Sequence, residues 1–289
     1  LIEPITALLR YAAPVGIAAL GETIGQKSGV INIGLEGMMI TSAYSAMVVT
    51  QVTNSPWAGL VAGVLAAVLL ALLQAFFTLR LAADQVVVGT AINLLGLGLT
   101  GTLYRMRYGS SGQLLSVPRI PQFAQGFDAV LIFWLVAVVA LTLLLFKTKW
   151  GLVLRASGEH PPSVVASGFS PLKMRLIAIL IGGALAGLAG SYLALGVAGS
   201  FAENMTSGRG FVALAMVTFG RWKPVWVFAA SLLIGYADSL QFELRARGIA
   251  LPPQALIALP YVLALVVLTV VGRGTAVPGS LTKPYVKEG

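Results

Sequence analysis

The sequence has no cysteine in its 289 residues and a single histidine, His160. Without cysteine there is no disulfide framework, no thiolate metal ligand and no thiol nucleophile. One histidine leaves no histidine-rich cluster, so no metal site is expected. No GxxxxGK[ST] run occurs, and the chain therefore carries no P-loop for hydrolysing ATP. No Ser/His/Asp set can be placed together, and no catalytic residue is expected. Charge is also scarce: 10% of residues are charged and 57% are apolar, against roughly 25% charged in a soluble domain. Mean hydropathy is +0.90. So little polar surface cannot cover a water-facing exterior, and lipid is the solvent that fits. The opening segment, Leu1 to Arg10, has no basic n-region and no clear small-residue cleavage site follows it, so it does not read as a secretory signal peptide.

What the chain has instead is long apolar runs. A helix needs about 20 mostly apolar residues to cross the hydrocarbon layer. Nine stretches are candidates: 4–24, 32–52, 57–79, 86–106, 128–146, 175–196, 209–220, 224–241 and 254–272. The seventh is too short for a full span, and reads as a half-helix or as joined to its neighbour at Arg221-Trp222-Lys223-Pro224. The fold class is therefore all-α and polytopic, with about nine spans, some broken or half-length. All of 1–289 is expected to form one transmembrane domain. The net charge of +9 does not point to nucleic acid, because the basic residues sit between apolar runs as membrane topology requires. With the C-terminal tail placed in the cytoplasm, 12 basic residues fall inside and 7 outside, all seven lysines among the former. This orientation puts the loop 107–127 and residues 242–253 outside, and the loop 147–174 and the tail 273–289 inside. The tail reads as short, basic and flexible.

Several polar positions stand out against this background. The stretch from Gly21 to Met39 holds Glu22, Gln26, Lys27, Asn32 and Glu36, punctuated by Gly25, Gly29, Gly34 and Gly37. A charge at the bilayer centre costs about 2.5–3.5 kcal/mol on insertion scales, so such groups face a protein interior or an aqueous path. Glycines allow a broken helix whose freed backbone groups line a cavity. Glu22, Gln26, Lys27, Gly29 and Gly34 are expected to form a gate or broken helix. Asn32 and Glu36, with the deep Asn93 of the fourth span, are expected along a solute pathway. Asp84 and Asp238 read as helix-end residues at the interface. Gly183, Gly187 and Gly190 continue a face of small residues with Gly182 and Ala186, which lets helix backbones approach closely. Gly96, Gly98 and Gly101 match GxGxxG but lie inside an apolar run without the strand a dinucleotide site requires; helix packing explains them.

The loop 147–174 holds a candidate docking element. Gly158, Glu159 and His160 lead into Pro161 and Pro162, which suit the first turn of a helix. Ala166 falls near its end and Gly168 suits the exit. Lys147, Lys149, Lys173 and Arg175 are expected to hold the loop ends at the headgroups.

SGVINIGLEGMM (28–39), GEHPPSVVASG (158–168), GRGFVALAMVTFGRWKP (208–224) and PGSLTKPY (278–285) together resemble the permeases of simple-sugar and nucleoside ABC importers, a ribose-type superfamily, and within it the nucleoside branch. The resemblance spans nearly the whole chain. It implies inward movement of a small polar solute across the inner membrane. It also implies a homologous second permease, a cytoplasmic ATPase with two nucleotide-binding halves that holds the ATP and Mg, and an extracytoplasmic solute-binding lipoprotein. The segment with Gly158, Glu159, His160, Ala166 and Gly168 would be the coupling helix seated in the ATPase. Two places differ from the usual pattern: Gln26-Lys27-Ser28-Gly29 stands where Glu-Arg-Ser-Gly is common, and His160-Pro161-Pro162 where Asn-Pro is common. A pentose or hexose importer, and an ion-coupled transporter using Glu36 with Asp84 or Asp238, are the competing readings.

Overall fold

In the computed structural model, residues 2–109, 116–123, 126–246 and 277–285 are described, with isolated positions at 262, 266 and 269. Among the described residues ten α-helices run in the order α1 (Ile2–Lys27), α2 (Leu35–Thr53), α3 (Pro56–Ala75), α4 (Gln85–Tyr108), α5 (Ala129–Lys147), α6 (Lys149–Glu159), α7 (Pro161–Ala166), α8 (Pro171–Tyr192), α9 (Arg209–Phe219) and α10 (Pro224–Ala246). Wider π-helical turns extend α3 through Phe76–Arg80 and α8 through Leu193–Ala198. Among the described residues no strand forms, only an isolated bridge between Gln122 and Asp128. The ninth expected span, 254–272, lies outside the described residues apart from those single positions.

Local chemistry starts the helices where they start. Asp84 accepts from the amides of Val86 and Val87 at 2.9 and 3.0 Å and opens α4. Asp128 does the same for α5, accepting from Val130 and Leu131 at 3.0 and 2.9 Å. Ser55 and Ser170 cap α3 and α8, each followed by a proline in the first turn, where the missing amide hydrogen costs nothing.

Among the described residues four helices have the length and apolarity to cross a membrane: Pro56–Arg80, Gln85–Tyr108, Ala129–Lys147 and Pro171–Ala198. Their burial pattern is that of helices solvated by lipid. On α3 the buried stripe is Gly59, Gly63, Ala67, Ala71 and Ala75, while Val61, Leu65, Leu69 and Leu72 are exposed. Large side chains point out and small ones pack, since lipid gives no hydrophobic reason to hide leucine. The small face of α8 meets this stripe. A Cβ at Gly187 would stand 2.8 Å from the Ala67 side chain, one at Gly183 would clash with Ala71, and one at Gly190 with the backbone of Met39 on α2. Of the three glycines in the GxGxxG match, Gly96 packs backbone to backbone against Gly37, whereas Gly98 has open space around it.

α1 is the central post. It packs against α8, α10, α9 and α5, and its side chains from Ala12 to Gln26 are all buried. α2 lies on the other side of α8, between α3 and α4. α9 is a half-length helix. It ends at Gly220 in a turn where Arg221 and Trp222 both take positive φ, and α10 begins after it at Pro224. The short seventh run is thus a half-helix separate from its neighbour.

Candidate functional site

α1 ends at a glycine. The Val30 amide bonds to the Gly25 carbonyl and the Gly29 amide to the Gln26 carbonyl, both at 3.0 Å, with Gly29 at φ 93°. This is the Schellman arrangement, and it needs a residue free of a Cβ penalty at that φ. Beyond Gly29 the chain runs without helix to Gly34, which precedes α2. A non-helical stretch buried in a membrane protein must find partners for every backbone polar group. Here side chains from four helices supply them. Gln85 accepts from the Ile31 amide at 2.8 Å and Gln74 donates to the Ile31 carbonyl at 3.3 Å. Glu22 Oε1 accepts from the Asn32 amide at 3.1 Å. Asn93 donates to the Ile33 carbonyl at 2.8 Å and accepts from the Gly37 amide at 2.7 Å. Arg175 donates through Nε to the Ser28 carbonyl at 3.2 Å.

The remaining gate residues continue this network. Glu22 Oε1 also accepts from Gln26 Nε2 at 2.9 Å, and Gln26 Oε1 accepts from Trp222 Nε1 at 2.7 Å. Lys27 sits with its ammonium 6.0 Å from the centre of the Trp222 ring. The α9–α10 turn is thereby tied to the end of α1. Asn32 is buried; its Nδ2 lies 3.3 Å from the Met38 sulfur, and its Oδ1 has no partner.

Glu36 has a different task. Its carboxylate, 3% exposed, accepts from the Gly208 amide at 2.8 Å and from the Gly210 amide at 2.6 Å. Those amides begin α9, and Glu36 itself lies in the first turn of α2. One anion thus serves the electropositive starts of two helices that meet inside the bundle.

On the far side of α1 the loop expected at 147–174 is largely helical. α6 occupies Lys149–Glu159, a helix the charge-rich stretch did not suggest. α7 begins at Pro161, in its first turn, and Gly168 follows it at φ 80°. His160 links the two helices; its amide bonds to the Ala156 carbonyl at 2.9 Å and its carbonyl accepts from Ser163 at 3.1 Å. Glu159, His160, Ala166 and Gly168 are exposed, while Gly158 is buried. A Cβ at Gly158 would stand 2.9 Å from the Gly29 amide nitrogen. The base of the α6–α7 turn therefore rests directly on the end of α1.

Three expectations need correction here. The tail does not hang free over 277–285. The Ser280 amide bonds to the Gly158 carbonyl at 2.8 Å, and the Gly279 amide to Glu159 Oε2 at 3.1 Å. Arg175 is no headgroup anchor: it is 1% exposed and donates through Nη1 to the Lys283 carbonyl at 2.9 Å. Nor does Asp238 end a helix, since α10 continues to Ala246. It is 8% exposed and pairs with Arg209 at 3.4 Å. Gln74 and Trp222 were not singled out from the sequence. Gln74 was findable as a lone amide in the apolar run of α3.

A cavity of about 330 Å³ opens at the opposite end of α1. Tyr11 and Pro14 of α1, the π-helical turn after α8, and the segment leading to Arg209 line it. Nearby, Arg10 donates to the Gly196 carbonyl at 2.6 Å and Arg119 to the Ala198 carbonyl at 3.0 Å. Among the described residues no group of His, Asp and Glu could hold a metal ion.

Residues 5–272 match the family described as branched-chain amino acid transport system / permease component. The guanosine ABC transporter permease protein NupQ of Bacillus subtilis is 34% identical over 98% of this chain and 96% of its own length. The nucleoside ABC transporter permease protein NupC of Lactococcus lactis is 31% identical over 97% of this chain and 95% of its own. The putative glucose ABC transporter permease protein TsgC13 of Haloferax volcanii is 33% identical over 88% and 81%. No solved structure matches the chain. With the family match running from the first helix past the last described span, and relatives aligned nearly end to end, the chain belongs to this ABC-transporter permease family.

Proposed function

We propose that the chain is the membrane-spanning permease subunit of an ABC importer that carries nucleosides inward. The solute class follows from two relatives named for guanosine and for nucleosides, each aligned along almost the full chain. A glucose importer is the second reading, favoured by the relative named for that sugar. On the nucleoside reading the subunit sits in the inner membrane beside a homologous second permease. A cytoplasmic ATPase with two nucleotide-binding halves supplies ATP hydrolysis, and a solute-binding lipoprotein delivers the cargo outside.

One observation supports the coupling route. α7 projects exposed side chains, while the turn beneath it, at Gly158, is seated on the backbone of Lys27 and Gly29. A push on α7 is thus delivered to the point where α1 ends and the non-helical segment begins. Gly158, Glu159, His160, Ala166 and Gly168 form the docking element in this scheme. Glu22, Gln26, Lys27, Gly29 and Gly34 form the hinge it acts on. Asn32, Glu36 and Asn93 lie along the moving wall of the pathway, with Asn32 Oδ1 as the open acceptor. Gly183, Gly187 and Gly190 keep α8 tight against α3 and α2 while the hinge moves.

The test is Ala166→Arg in the reconstituted importer with ATPase, second permease and binding protein. Solute uptake and stimulated ATP turnover should fall together, with binding-protein docking retained, and the isolated chain should give no turnover at all. Wild-type rates in the variant, or cross-links placing α7 away from the ATPase, would refute the coupling role.

A further inference from the structure

We propose that the cavity between α1, the π-helical turn after α8 and the start of α9 is a solute-holding site for the base of a nucleoside. The inference rests on the nucleoside reading above and adds a place and a chemistry to it. The volume, about 330 Å³, lies at the lower end of the range for small-molecule sites, about 300–1,000 Å³. Its walls combine the two things a heterocyclic base needs. Apolar and aromatic surface comes from Tyr11, Pro14, Val197 and Met205; polar groups come from Ser200 and Arg209.

The backbone around the cavity is unusual in ways that favour a ligand. Pro14 has no amide hydrogen, so the Arg10 carbonyl one turn earlier lacks its helical donor. The wall opposite is a π-helical turn, a feature frequent at functional sites. It is followed by Gly199, Asn204 and Ser207, all at positive φ. The carbonyls at the end of that turn are held from outside by Arg10, Arg119 and the amides of Val117 and Ile120, so the wall does not collapse into the space.

Arg209 sets the charge preference. Its guanidinium, about a quarter exposed, is paired with Asp238 at 3.4 Å and bonded to the Met205 carbonyl at 3.2 Å. Much of its charge is thereby answered, and what remains to a ligand is a planar donor surface. A planar guanidinium and a phenol ring are the surfaces on which bases stack. A phosphate or carboxylate would compete with Asp238, so the site suits an uncharged base over a nucleotide. In the orientation set by the lysines, the cavity lies in the outer half of the bundle, where solute arrives.

The absence of native cysteine makes the test direct. Ser200→Cys and Ala202→Cys are placed singly in the complete importer and labelled with an impermeant maleimide, with and without guanosine and its binding protein. Guanosine should slow labelling at both positions at least about fivefold, and glucose should not. Tyr11→Ala should lose roughly tenfold in uptake, the scale of one base–aromatic stack, and Tyr11→Phe, which keeps the ring face, should lose less than Tyr11→Ala. If guanosine is taken up but protects neither cysteine, or if Tyr11→Ala transports normally, the cavity assignment is wrong. If glucose protects and guanosine is not transported, the cavity holds solute but the nucleoside reading fails, and with it the base-stacking proposal.

Discussion

Replacing Glu36 tests whether one carboxylate holds two helix starts together. In the wild type it accepts from Gly208 and Gly210 at 2.8 and 2.6 Å with 3% exposure. Hydrogen bonds to a charged group contribute about 1.5–3 kcal/mol each, and a buried donor left without a partner costs about 1–3 kcal/mol. Glu36→Ala strips the acceptor from two amides, so the expected loss is roughly 2–6 kcal/mol. A Cβ at Gly210 would stand 2.6 Å from the Glu36 amide, which shows how closely the two helices meet and how little space a replacement water would find. Glu36→Gln keeps one acceptor but turns an NH₂ toward the other amide, so it recovers half of the loss at best. Glu36→Asp is a methylene shorter and should fail to reach both amides at once. The measurement is the thermal midpoint of the detergent-purified chain. At about 2–4 °C per kcal/mol, the range for chains of roughly 150–250 residues, Glu36→Ala should drop by roughly 4–24 °C. Glu159→Ala is the control, since Glu159 is exposed and a single exposed contact is expected to move the midpoint by little. A Glu36→Ala midpoint equal to the wild type would show that the carboxylate does not brace α9, and the hinge reading would lose its anchor.

Two further predictions concern the same machinery. Asn93→Ala removes the partners of the Ile33 carbonyl and the Gly37 amide; uptake should fall several-fold at an unchanged level of membrane-inserted protein, and normal uptake by radiolabelled guanosine assay would remove Asn93 from the mechanism. His160→Cys should resist an impermeant thiol reagent in intact cells and react in inverted vesicles. Reaction in intact cells would reverse the orientation drawn from the lysines.

Among the described residues the spans were legible because apolar runs are a strong signal, and the length of the α9 run left a half-helix or a fusion with its neighbour, of which the first forms. So were the α7 boundaries, since proline and glycine have narrow conformational meanings. The broken segment after α1 could be seen as a cluster of polar residues and glycines. Its internal wiring could not. Asn93 and Glu36 read as pathway residues because a deep polar group is costly, but a place on a pathway and a bond to a backbone amide both meet that cost. Distinguishing the two needs to know what lies opposite, which is a tertiary fact. The docked tail was invisible for a related reason: its bonds to Gly158 and Glu159 use backbone amides of residues about 120 positions away, and backbone leaves no mark on composition. α6 was missed because Lys149, Arg155, Glu159 and four small residues dilute its apolar positions, Trp150, Leu152, Val153 and Leu154.

The stretch from Ser28 to Gly34 differs from a helix in how it would fail. In a helix each amide belongs to a ladder, and losing one rung shifts strain onto equivalent neighbours. Here Gln85, Gln74, Glu22, Asn93 and Arg175 each hold a different atom, with no second side chain on any of them among the described residues. The segment is consequently a set of separate latches in place of one zipper. It can be released in stages, one side chain at a time, and each stage leaves the others closed. A helix cannot offer such partial states without melting from an end. Damage follows the same rule: single substitutions at these five sites should produce distinct lesions, those at Asn93, Glu22 and Arg175 reaching also the Gly37 amide, Gln26 and the Lys283 carbonyl that they hold.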